Sequence, residues 1–200
     1  MLNQADLDAA LSNHDNEMNL CEQRRCDWAL LHLVLAYPDI CSGLQVPNPD
    51  ENVGERYRSW CNQFLKTPHL TGAEWWAMRN AVLHQGSAII KSGTRYSRFE
   101  FAVASPPDHA RVEGDVLHLD VVKLATEMKG GVSAWKAWLL RAPSPAGAAI
   151  VEQSLARVVA VYLPAATALV PATSLPTPSL SGNAYVPGTA SPVLTPMKSK

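Results

Sequence analysis

The absences in this chain narrow it first. Its 4 cysteines, Cys21, Cys26, Cys41 and Cys61, include no Cys-x-x-Cys pair. No apolar run approaches the ~20 residues needed to span a bilayer. The N-terminal stretch has no basic segment followed by an apolar core, so no secretory signal is read there. Together these features predict a soluble, cytoplasmic protein with reduced thiols and no membrane partner. Also missing are an internal repeat, a Gly-rich phosphate loop and a paired Cys/His array. Cys21, Cys26 and His32 are the one set that could converge on zinc. Their spacing matches no familiar site, so neither a metal nor a cofactor is expected.

Of the 200 residues, 47% are hydrophobic, which is ample for a real core. That length predicts one domain with an extension. The net charge of −1 conceals an asymmetry. Residues 1–55 carry ten acidic and two basic groups, giving −8. Residues 56–98 set seven basic groups against Glu74 alone, giving +6, and residues 99–200 contribute +1. A basic middle segment attracts phosphate. The competing structural reading is that it packs against the acidic N-terminal third.

Taken in order, residues 3–12 read as a short helix with Leu2, Leu7 and Leu11 on its apolar side. Residues 16–35 read as a longer core helix, with Met18, Cys21, Arg25, Trp28, Leu31 and Leu35 at helical spacing. Pro38 should break or kink it, with another turn at residues 39–41. Residues 46–54 are a loop by composition, and residues 55–66 return to helix with Tyr57, Trp60, Cys61, Phe64 and Leu65 inward. Thr71 and Glu74 then form a capping-box pattern at the start of a central helix, which Gly86 should end. After it the periodicity changes. Residues 96–105 and 116–121 both alternate, and two short strands separated by a loop most simply make an antiparallel hairpin. Asp120 can cap a following helix to about residue 141, weakened in its middle by Gly130-Gly131. The expected organisation is therefore mainly α: a helical domain over residues 1–141 with a β-hairpin at about 96–121, and an additional helix within 142–163. Residues 164–200 form a tail rich in Pro, Ser, Thr and Ala, with little to drive folding.

The chemistry concentrates in the central helix. At about 100° per residue Asn80 and His84 share a face, while Arg79 lies inside the apolar arc of Trp75, Met78, Val82 and Leu83. A guanidinium there must find a partner, reach solvent or sit at an interface. Arg79-Asn80-x-x-x-His84 resembles the signature of the HEPN superfamily, the higher eukaryote and prokaryote nucleotide-binding domain. Its members carry an Arg, a polar follower and a later His on one helix of a compact bundle. The surrounding Leu-Thr-Gly and His-Gln-Gly-Ser segments also look like small bacterial members. A similar impression attaches to Ala36-Tyr37-Pro38-Asp39-Ile40-Cys41, and the resemblance covers about residues 16–141. The strand pair departs from an all-helical bundle.

The resemblance implies a HEPN-like bundle with a hairpin after the motif helix, a homodimer, and a composite site built from two motifs. The implied activity is a metal-independent endoribonuclease leaving 2′,3′-cyclic phosphate and 5′-hydroxyl ends, in a toxin–antitoxin or antiviral setting. Its partners would be RNA and an antitoxin or regulatory protein; the alternative is a non-catalytic module that binds protein, RNA or nucleotide. Arg79, Asn80 and His84 are the candidate catalytic residues. Their chemistry suits the reaction, because His exchanges protons near neutrality and Arg stabilises charge on phosphate. Lys91, Arg95 and Arg98 are candidate RNA-backbone contacts. The competing reading makes Arg79 a bridge between helices and His84 a helix-end cation. Trp75 and Trp76 could stack bases, although aromatics at helical spacing belong more often to a core. Two other spacings, Arg25 with His32 and Arg111 with His118, match the loose pattern without a polar follower on a helix.

Overall fold

The structure is a computed structural model that describes residues 2–90, 93–102, 109–141 and 145–156. Among these, six helices and a small sheet follow in the order α1 (Gln4–Arg24), α2 (Asp27–Leu44), α3 (Val53–Phe64), α4 (Gly72–Gln85), β1 (Arg98–Ala102), β2 (Arg111–Glu113), β3 (Val116–Asp120), α5 (Val121–Arg141) and α6 (Pro145–Leu155). The fold is mainly α, as the periodicity predicts. None of the described helices is long and apolar enough to cross a membrane.

The first helical boundary moves. Residues 13–15 do not interrupt α1, and the break falls instead at Arg25, whose left-handed backbone (φ 58°) sends its N–H to the Cys21 and Glu22 carbonyls. Interior contacts hold the polar stretch. His14 meets the Leu33 carbonyl at 2.9 Å, and Asp15 accepts from the Tyr37 hydroxyl. Because the helix restarts at Asp27, its phase resets, and Trp28, expected inward, is 56% exposed. Pro38 does not end α2, which runs on to Leu44 with Pro38 itself buried. This helix is the hub of the bundle and packs against α1, α3, α4, α5 and α6. Its Leu30, Leu31, Val34, Leu35, Tyr37 and Cys41 meet Tyr57, Trp60, Trp75, Met78, Leu124, Met128 and Trp135 in one core.

The capping box forms as predicted: Thr71 accepts from the Glu74 amide, and the Glu74 carboxylate reaches back to the Thr71 amide. Gly86 ends α4 in the left-handed conformation (φ 57°). The sheet corrects one expectation. β1 and β3 pair in parallel, with Phe99 opposite Leu117, while the antiparallel hairpin is β2–β3, turning through Gly114-Asp115. The alternating pattern of β2 is too short to stand out, and all three of its residues are exposed. Phe99, Leu117 and Leu119 bury the inner face, as their alternation requires.

Asp120 caps α5 by accepting from the Lys123 amide at 3.0 Å. Gly130-Gly131 does not interrupt that helix. Gly131 instead permits close packing, since a Cβ there would lie 2.4 Å from the Leu65 side chain. The additional helix falls inside the expected span, at Pro145–Leu155, and Val151 and Ser154 are buried. The predicted tail, residues 164–200, lies outside the described residues, as does Lys91. All four cysteines are free thiols.

Candidate functional site

Arg79 resolves its position on the apolar arc by finding a partner on another helix. Its Nε donates to Asp39 Oδ2 at 3.0 Å, and its Nη2 lies 2.9 Å from the same oxygen. Asp39 sits one residue beyond Pro38 on α2, so the continuation of that helix through the proline is what brings the carboxylate to the motif. The guanidinium also lies over the Trp76 ring, 5.1 Å from its centroid. Trp76 in turn leans on Tyr57 at 5.3 Å and on Gly54, where a Cβ would approach the indole to 3.0 Å. Packing and charge therefore fix the guanidinium plane.

The remaining arm of Arg79 points at the motif. Nη1 donates to Asn80 Oδ1 at 3.1 Å and makes a close contact with His84 Nε2. A guanidinium can only donate, so His84 Nε2 accepts and its ring proton sits on Nδ1. His84 is exposed, while Arg79 keeps only 16% of its side-chain surface. The three predicted residues thus meet at the C-terminal end of α4, and Asp39 joins them as a fourth. Sequence reasoning noticed the segment around Asp39 but assigned it no role beside Arg79. The signal available was a lone carboxylate on a core helix, which needs a buried cation.

The site is electrostatically incomplete. Asp39 Oδ1 is shielded from solvent and has no hydrogen-bond partner among the described residues. Burial pushes the Asp39 carboxyl above its ordinary range, against the downward pull of Arg79. Arg56 on α3 adds positive charge nearby while its own Nε donates to the Glu51 carbonyl at 3.0 Å. Beside it an open groove of about 670 Å³ is lined by Ser42, Gln45, Asn48, Arg56, Trp60 and Gln63, among others.

The candidate RNA contacts divide. Arg95 is engaged in a two-pronged pair with Glu74, with Nε to Oε1 at 2.6 Å and Nη2 to Oε2 at 2.7 Å, and it also donates to the His69 carbonyl. Arg98 lies at the exposed start of β1 and, among the described residues, pairs with Glu100 on its own strand at 3.0 Å. Trp75 is fully buried and donates to Thr67, whereas Trp76 is half-buried beneath Arg79. The two other Arg/His spacings serve local contacts. Arg25 caps α1, and His32 bonds the Trp28 carbonyl. Arg111 and His118 face each other across β2–β3, where both have Glu113 beside them.

The acidic N-terminal third does not neutralise the basic middle segment as a block. Asp8 and Asp15 meet Lys136, and Glu22 meets Lys129, both lysines on α5. Among the described residues, Asp39 pairs with Arg79 across the two segments. No family model matches this chain, no curated protein matches it, and no solved structure matches it.

Proposed function

We propose that this chain is a metal-independent RNA endonuclease of the HEPN type, working in the cytoplasm as a homodimer with a composite site. The observation that carries this reading is the Arg79 guanidinium, clamped on one edge by Asp39 and presenting Nη1 to Asn80 and to the exposed His84. Cleaving RNA without a metal requires a group to take the 2′-hydroxyl proton and a cation to stabilise charge on the phosphate. His84 Nε2 holds a lone pair for the first task. Arg79 supplies the second, because a phosphate oxygen arriving at Nη1 would compete for the hydrogen that His84 now accepts and release Nε2 to act as base. Asn80 steadies that arm of the guanidinium. The products would be a 2′,3′-cyclic phosphate and a 5′-hydroxyl.

A twofold axis near the end of α4 would place two such exposed motifs in one cleft, each chain contributing an Arg and a His. A toxin or antiviral role, with an antitoxin or regulatory partner, goes with that activity. One observation favours a second reading. The Arg79–Asp39 pair ties α4 to α2, a structural task sufficient to retain the arginine in a non-catalytic HEPN-like module that binds protein, RNA or nucleotide. The test is incubation of the purified chain with end-labelled cellular RNA in chelator, followed by analysis of the ends. Cleavage giving cyclic phosphate is expected. A dimeric protein that binds RNA without cutting it would favour the module.

A further inference from the structure

Three side chains from separate parts of the chain converge away from the Arg79 motif. His69 lies in the connection between α3 and α4, His109 just before β2, and Glu127 on α5. Their candidate ligand atoms all fall within 4.8 Å of one another. His109 Nε2 is 3.1 Å from Glu127 Oε1, and His69 Nε2 is 3.9 Å from the same oxygen. The two rings meet edge to face, with centroids 5.1 Å apart. His109 and His69 retain only 10% and 13% of their side-chain exposure. We infer that His69, His109 and Glu127 form a binding site for a divalent transition-metal ion of the zinc class, which clips the connection before the motif helix to the sheet and to α5.

Two observations beyond proximity point to a ligand. His69 Nε2 and Glu127 Oε2 are both shielded from solvent and have no hydrogen-bond partner among the described residues. Polar atoms that water cannot reach, aimed at one another's neighbourhood, are costly unless something small and positive sits between them. Zinc–nitrogen and zinc–oxygen bonds of about 2.0–2.2 Å place tetrahedral ligand atoms roughly 3.3 Å apart. Side-chain adjustments of about an ångström therefore close the triangle. The nearby Arg95 charge is already taken up by Glu74.

The donor set also selects the ion. Two imidazoles and one carboxylate suit zinc and its neighbours and do not suit magnesium or calcium, which prefer oxygen. Three protein ligands leave the fourth position to water. One rearrangement is required. Without the ion, His109 Nδ1 accepts from the Asp120 amide at 3.2 Å, so the ring proton sits on Nε2 and is given to Glu127. For the ion to bind Nε2, His109 must take the tautomer with its proton on Nδ1, with no net change in charge. The Asp120 amide then loses its acceptor. Metal binding thus reaches the residue that caps α5.

This site is separate from the Arg79 chemistry and fails or stands independently of it. The experiment is isothermal titration of the full-length, chelator-treated chain with zinc, repeated with cobalt to read the visible bands of a tetrahedral nitrogen/oxygen site. One ion per chain is expected, with the Asp120 amide resonance shifting on saturation and magnesium failing to compete. His69→Ala and the shape-conserving Glu127→Gln should each weaken binding by at least about 100-fold, the upper end of what outer-shell changes cost. His32→Ala, which removes a histidine bonded only within α2, should bind like wild type. Circular dichroism of each variant separates lost binding from lost fold. No stoichiometric zinc in wild type, or unchanged zinc affinity in folded His69→Ala and Glu127→Gln, would overturn the proposal.

Discussion

Two arginine–carboxylate pairs hold α4, one in its first turn and one at its middle, and they are built differently. At the N-terminal end the Glu74 side chain is 2% exposed and both its oxygens are used, by Arg95 and by the Thr71 amide and hydroxyl. Burial alone would push that carboxyl up, but the Arg95 and Thr71 hydrogen bonds outweigh it and hold it below its ordinary range. At the middle of the helix Asp39 is 24% exposed and offers one oxygen to Arg79, the other has no hydrogen-bond partner among the described residues, and burial outweighs the pull of Arg79 to put the carboxyl above its ordinary range. A saturated pair closes a helix end and has nothing left to give. The half-satisfied pair holds the guanidinium through Nε and Nη2 and leaves Nη1 directed at Asn80 and His84, the arrangement on which the proposed reaction site rests.

The largest expected effect on stability comes from breaking the saturated pair. Glu74→Ala removes the capping box and strands the Thr71 donors, and should lower the unfolding free energy by roughly 2–4 kcal/mol. Chemical denaturation measures it, and a loss below about 0.5 kcal/mol would mean that the N-terminal end of α4 is held by other contacts. Asp39→Ala is expected to cost less, about 1–3 kcal/mol, because Arg79 is only partly buried and keeps its Trp76 contact. It should also slow RNA cleavage by up to about 100-fold through misplacement of the guanidinium. Cleavage unchanged in folded Asp39→Ala would show that Arg79 needs no clamp.

The two carboxylates should also pull stability in opposite directions with pH. Glu74, depressed in the native state, contributes stability that is present above the ordinary glutamate pKa of about 4.3 and lost as pH falls through its lower native value. Asp39, raised in the native state, contributes below the ordinary aspartate pKa of about 3.9 and loses that contribution as pH rises through its higher native value. Stability measured across the acid range should therefore decline less on acidification in Glu74→Gln and more in Asp39→Asn. Identical slopes in the two variants would erase the distinction between the pairs.

Much of the bundle was legible because its signals are local. The capping box at Thr71 and Glu74, the stop at Gly86 and the Asp120 cap are each complete within a few residues. The motif was legible for the same reason, since Arg79, Asn80 and His84 lie on one helix. What depends on distant segments was not legible. The parallel pairing of β1 with β3 needs β2 on the far side, and three exposed residues give little pattern. The phase of α2 was misread because a left-handed Arg25, which carries no sequence mark such as glycine, resets it. Asp39 joins the motif only because α2 survives Pro38. Arg95, read as an RNA contact from its charge, is committed to Glu74 across 21 positions of sequence. His69, His109 and Glu127 are too far apart in the chain for any spacing rule to connect.

The smallest effect is expected at Arg98, which has neither kind of pair behind it. Its side chain is 53% exposed and, among the described residues, pairs with Glu100. Arg98→Ala should change stability by no more than about 0.5 kcal/mol. If Arg98 touches the RNA backbone, the salt slope of RNA binding should fall by about one. An unchanged slope would remove Arg98 from the RNA surface.

The proposed reaction site rests on His84 being the group that Arg79 serves. The most direct test is the rate of RNA cleavage in chelator by His84→Ala beside wild type, with His32→Ala and His118→Ala as controls from the other Arg/His spacings. Losing an acid–base group should slow cleavage by roughly 10²–10⁴-fold while the fold, the dimer and both control variants keep wild-type behaviour. Wild-type protein that cuts RNA no faster than folded His84→Ala would contradict the assignment.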